Sequence, residues 1–113
     1  MSALWVPERG NVVWITLDPQ AGTEQAGKRP ALVLSPASYN GVVGLALFAP
    51  ITSRVKGYTF EVQIPEGLPV SGVVLADHTK SLDWRTRRAD YICDVPAECI
   101  AEVMDKLLVL LTV

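Results

Sequence analysis

Between residues 11 and 95 the apolar positions form short blocks, each ended by turn-forming residues. NVVWITL (11–17) is rich in β-branched and aromatic side chains and stops at Asp18-Pro19. ALVLSP (31–36) is a dense apolar run with proline on either side, and VGLALFAPI (43–51) follows a turn expected at Asn40-Gly41. YTFEVQI (58–64) alternates, placing Thr59, Glu61 and Gln63 on one face and Tyr58, Phe60, Val62 and Ile64 on the other. GVVLAD (72–77) and ADYICDV (89–95) complete the set. Short strands at regular spacing, with Gly and Pro between them, favour a small barrel over a parallel sheet.

The tail changes period. In PAECIAEVMDKLLVLL (96–111), Ile100, Val103, Met104, Leu107 and Leu111 share one face at helical spacing. Pro96 suits a first helical turn, Glu98 lies near the positive end of the helix dipole, and Glu102 and Lys106 form an i,i+4 pair. One amphipathic helix is therefore predicted to close the barrel, with its Met and Leu stripe in the core. The 113 residues suffice for one domain with a real core, so 1–113 reads as a single unit of the mainly β (α+β) class. No basic stretch followed by an apolar core marks a signal peptide at the start, and LLVLLTV is too short to cross a bilayer, so no membrane association is expected.

Charge changes the picture. The net value is −2, but from Lys28 to Arg88 eight basic residues face four acids, while both flanks are acidic. A basic middle can hold a polyanion even in an acidic chain, because phosphate contacts are local. Cys93 and Cys99 read as buried free thiols in a reducing compartment; with His78 as the one histidine they cannot complete a four-ligand zinc site, so no metal is expected.

The densest polar chemistry lies in GTEQAGKRPALVLSP (22–36). Gly22 to Lys28 fits G-x-x-x-x-G-K, yet Arg29 stands where a Ser or Thr must hold magnesium, and a strand follows where a nucleotide loop needs a helix. Nucleotide hydrolysis is excluded on both counts. What remains is a glycine-bearing loop that delivers Glu24, Lys28 and Arg29 to the barrel mouth. Pro30 restricts Arg29 to extended geometry, and a fixed guanidinium can hold two phosphate oxygens at once. A second polar set, Thr52, Ser53, Arg54 and Lys56, directly follows an apolar strand and could form another wall of an anion site. The charged stretch DWRTRR (83–88) is open to two readings, phosphate contact or a solvated turn. Trp5, Trp14 and Trp84 could stack bases, though burial is expected for at least two of them.

DPQAGTEQAGKRPALVLSPASYN, PITSRVKGYTFEV and GVVLADHTKSLDWRTR, with the opening RGNVVWITLDP and the helical tail, resemble the MazF/PemK toxins of bacterial toxin–antitoxin systems, in order and across nearly the whole chain. The resemblance implies an SH3-like β-barrel with a C-terminal helix, the PemK/CcdB-like toxin fold, assembled as a cytoplasmic homodimer. It also implies a ribosome-independent endoribonuclease that cuts single-stranded RNA at short motifs without metal or cofactor and is neutralised by a MazE-like antitoxin lying over the RNA-binding surface. RNA supplies its own nucleophile: the 2′-hydroxyl attacks the adjacent phosphorus, leaving a 2′,3′-cyclic phosphate and a 5′-hydroxyl. Carried onto matching positions, Arg29 stabilises developing charge and Thr52 hydrogen-bonds a phosphoryl oxygen. Arginine is effectively always protonated, so Glu24 in the same loop is the candidate base. Lys28, Ser53, Lys56, Asp77, His78, Lys80 and Arg85 are the expected RNA contacts. Asp77 matches an acid used by one branch of the family, but Leu75 and Thr23 stand where that branch has an arginine and a histidine, so its acid–base set is incomplete here. The alternative is a non-catalytic toxin of the same fold acting on DNA gyrase, as the CcdB proteins do. Those depend on a tryptophan near the end of the terminal helix, and this chain has no aromatic residue there.

Overall fold

The computed structural model describes residues 5–17 and 27–112. Among these residues seven strands, all paired antiparallel, and two α-helices follow one another: β1 (Asn11–Thr16), β2 (Lys28–Val33), α1 (Ala37–Val43), β3 (Leu45–Thr52), β4 (Glu61–Gln63), β5 (Val73–Leu75), β6 (Lys80–Asp83), β7 (Asp90–Asp94) and α2 (Ala97–Thr112). The strand order is β4-β5-β3-β2-β1-β7. β3 is the long strand that bends the sheet: on one edge it pairs β2, and on the other it pairs β6 near its start and β5 near its end. A single turn of 3₁₀ helix, Ala76–His78, carries the chain from β5 to β6.

Among the described residues no ladder joins β4 to β7, so the sheet is open rather than a hydrogen-bonded barrel. Helix α2 spans the opening. Its start sits against Gly10, where an added Cβ would lie 2.7 Å from Ile100 Cδ1, and further along Lys106 Nζ donates to the Thr59 carbonyl ahead of β4. Cys99 and Val103 are buried in one core cluster with Val12, Leu32, Ile51, Val62 and Val74. A second cluster, Val13, Ile15, Ala31, Val33, Phe48, Leu82 and Trp84, fills the opposite face. β2 feeds both cores, which explains its continuous apolar run: a strand covered on two faces does not alternate. β1 splits the same way, Val12 entering the first core and Val13 and Ile15 the second, as the two-residue period of a strand requires.

Four sequence expectations need correction. Asn40-Gly41 is not a turn but lies inside α1, which starts after Pro36 and ends at Gly44 in the left-handed region (φ 83°). Asn40 is fully buried because it is the hub of a polar network. It accepts from Ser35 Oγ and donates to the Pro7 and Ser35 carbonyls, while its own carbonyl accepts from Trp84 Nε1. Buried polar groups are tolerated where every one is partnered. Second, only part of the α2 stripe is core: Val103 is buried and Ile100 and Leu107 pack against the cluster, whereas Met104 and Leu111 face outward. The sheet is narrow, so the last turns of the helix overhang it. Third, only Trp84 of the three tryptophans is buried; Trp5 and Trp14 are partly exposed. Fourth, β4 covers just 61–63, and Tyr58 points to solvent although Val62 and Ile64 are buried as the alternation predicts.

Candidate functional site

The β2–β3 register sets Ala31 opposite Pro50. Two residues further toward the same end lie Arg29 on β2 and Thr52 at the end of β3. They line one open groove of about 460 Å³, together with Ser53, Arg54, Pro30 and Pro50. Arg29 is exposed and Thr52 half-buried. Thr52 Oγ1 accepts the Arg54 backbone N–H at 3.1 Å, which uses a lone pair and leaves the hydroxyl proton free to donate to a ligand. Gly72, at φ 112°, lies so close behind that an added Cβ would sit 2.1 Å from the Thr52 carbonyl oxygen.

A second groove of about 160 Å³ shares Thr52 and Arg54 with the first and is walled by Lys56, Tyr58, Glu61 and His78. Among the described residues the two grooves present Arg29, Arg54 and Lys56 against one carboxylate, Glu61, whose oxygens accept the backbone N–H groups of Lys56 and Gly57. The joined surface is therefore cationic, with donors at strand ends and an aromatic ring at one side, a combination suited to an anionic ligand that also carries rings.

Of the sequence-predicted residues, Arg29, Thr52 and Ser53 share the first groove, and Lys56 and His78 line the adjoining one. Asp77 stands beside His78, 3.9 Å between Oδ1 and Nε2, but lines neither groove. Lys28 is directed elsewhere, its Nζ donating to the Arg88 carbonyl, and Lys80 lies on β6 opposite Phe48. Arg85 stacks over the Trp84 ring at 4.8 Å. Glu24 lies outside the described residues. DWRTRR is a built turn: Asp83 accepts from the Arg85 and Thr86 N–H groups, and the Thr86 bonds hold its carboxyl below the usual range. Arg87 meanwhile donates to the Thr16 carbonyl. Sequence reasoning missed Glu61, placed by alternation on one face with Thr59 and Gln63 and given no role, and Gly72, which nothing local distinguishes.

Cys93 and Cys99 are free thiols, both raised in pKa, first by burial and then by Asp94 and Glu102 respectively, so they stay protonated at neutral pH. Among the described residues no three His, Cys, Asp or Glu side chains gather where they could hold a metal ion. Among the described residues no helix is long and apolar enough to cross a membrane.

Helix-spanned open β-sheet with a cationic groove at the strand ends: that is the class of protein defined by the fold and the site. The chain belongs to a family described as PemK-like, MazF-like toxin of type II toxin–antitoxin system, which matches residues 8–111. It is 43% identical over 111 residues to the endoribonuclease toxin MazF of Escherichia coli K12, covering 98% of this chain and 99% of that protein. The crystal structure of MazF from Deinococcus radiodurans superimposes with a TM-score of 0.88 at 60% identity, covering 96% of this chain and 99% of the other. A MazE–MazF complex from the same organism superimposes with a TM-score of 0.85 at 55% identity, covering 96% and 97%.

Proposed function

We propose that this chain is the endoribonuclease toxin of a type II toxin–antitoxin pair, cutting single-stranded RNA in the cytoplasm by transesterification through the ribose 2′-hydroxyl. One observation carries the reading: Arg29 and Thr52, from separate strands of a chain in this family, line a single cationic groove. Arg29 would embrace the scissile phosphate and offset the charge that builds on the phosphorane, with the Thr52 hydroxyl donating to one of its oxygens. Glu24 takes the 2′-proton as the 2′-oxygen bonds to phosphorus; the bond from phosphorus to the 5′-oxygen of the next nucleotide breaks, and that oxygen takes a proton from water to leave as a 5′-hydroxyl. Because the nucleophile belongs to the substrate, neither metal nor cofactor enters the reaction.

Purified protein incubated with single-stranded RNA in excess EDTA is expected to leave 2′,3′-cyclic phosphate and 5′-hydroxyl ends. Inhibition of gyrase supercoiling with no RNA cut would replace this reading with the CcdB-like one.

The partners proposed are a second copy of the chain and a MazE-like antitoxin laid over the RNA-binding grooves, a role supported by the MazE–MazF complex named above. The homodimer face is the overhanging end of α2. Met104, Leu107 and Leu111 line an apolar hollow of about 490 Å³ with Tyr39 and Leu47, and Leu111 is 72% exposed in the single chain. Apolar surface left uncovered at this density marks an interface. Leu111→Asp should sediment as a monomer at concentrations where the native protein is a dimer; unchanged sedimentation would rule out this face.

A further inference from the structure

We infer that Glu61 is a positioning residue that sets which RNA motif is cut, by clamping the 53–60 loop that walls the second groove; the inference rests on the ribonuclease reading above. The loop leaves β3 after Thr52 and must return to β4 at Glu61. It carries two cations, Arg54 and Lys56, and a glycine at φ 76°, all of which favour a spread of conformations. Glu61 opposes that spread. Oε1 accepts the Gly57 N–H at 2.9 Å, and both carboxylate oxygens accept the Lys56 N–H at 3.2 Å. Hydrogen bonds to an ionised acceptor are the strong ones, so one side chain holds two successive peptide units. Its own N–H donates to the Tyr58 carbonyl, closing the turn from the other side.

What is held in place is a recognition surface. With residues 56 and 57 fixed, Lys56 Nζ rests 5.7 Å from the centre of the Tyr58 ring, and both side chains face His78 across the groove. A flat, exposed ring beside a cation is a stacking platform for an unpaired base. This groove meets the Arg29 groove at Thr52, so a base seated there belongs to a nucleotide close to the scissile phosphate. Glu61 touches neither Arg29 nor the Thr52 hydroxyl among the hydrogen bonds formed, so its loss should disturb recognition and spare the chemistry.

Glu61→Gln, which keeps the shape and one acceptor oxygen, and Glu61→Ala are compared with the native protein on a long unstructured RNA with every cut end mapped. For Glu61→Ala the expectation is a KM about tenfold higher, a kcat within about twofold of native, and cleavage spread over related motifs, with Glu61→Gln in between. Amide exchange at Lys56 and Gly57, read without RNA, should quicken about tenfold in Glu61→Gln while the β1–β3 amides keep their protection. An unchanged cleavage map with unchanged exchange overturns the inference, and so does a fall in kcat at constant KM. A native protein that cuts no RNA would instead sink the ribonuclease reading, and this inference with it.

Discussion

Arg29→Ala is expected to lower kcat by about 100- to 1,000-fold, the loss typical of one well-aimed donor to a developing oxyanion, with thermal stability unchanged. The two halves of that expectation come from different facts. Arg29 is exposed and forms no side-chain hydrogen bond among the described residues, so its removal leaves no buried partner orphaned. Substitutions at such positions usually change stability by only about 0.5 kcal/mol. Its place in the groove with Thr52 is the reason for the kinetic loss. Arg29→Lys should recover only part of the rate, because an ammonium is a point charge and cannot match two phosphoryl oxygens with a planar fork. Single-turnover cleavage at saturating RNA measures the effect; a variant as fast as native would remove Arg29 from the mechanism.

The second large effect is expected at a residue that touches no substrate. Gly72→Ala places a methyl 2.1 Å from the Thr52 carbonyl oxygen, 2.8 Å from its carbon and 3.0 Å from Ser53 Cα, on a backbone at φ 112°. Two penalties combine, strain in a region suited to glycine and overlap with backbone that cannot rotate aside. Together they amount to roughly 3 kcal/mol or more, equivalent to a fall in Tm of roughly 10 °C. Relief of the overlap must move Thr52, and under the role proposed for its hydroxyl a shift of about 1 Å is expected to cost about 100-fold in rate. Gly67→Ala is the control. Gly67 also has a positive φ (96°), but an added Cβ there meets nothing within 4 Å, so strain alone is added. The control should lose about 1–3 kcal/mol and cut RNA normally. Equal activity in the two variants, assayed well below their melting points, would show that Gly72 does not place Thr52.

Those two predictions mark what the sequence makes legible and what it does not. Strand cores were readable where neighbours along the chain decide them: the buried runs of β1 and β2, and the alternation through Val62 and Ile64. Arg29 and Thr52 were readable because each sits in a local motif at a strand end. Asn40-Gly41 misled because an isolated Asn-Gly favours a turn, whereas here nearby Ser35 and two long-range partners, Pro7 and Trp84, hold Asn40 inside a helix. The outward half of the α2 stripe misled because helical periodicity reports an apolar face without naming what covers it. Gly72 and Glu61 were illegible for a shared reason. Their importance comes from contacts with 52–53 and 56–57, set by how β4 and β5 fold back against β3.

The proposed cutting of RNA in the Arg29–Thr52 groove by its own 2′-hydroxyl stands or falls on one atom of the substrate. An RNA carrying a single 2′-deoxynucleotide at the mapped cleavage position should bind with native affinity and remain intact at that bond while neighbouring sites are still cut. Cleavage of the deoxy bond at the native rate would mean that water, not the ribose, attacks the phosphorus, and would overturn the proposed mechanism.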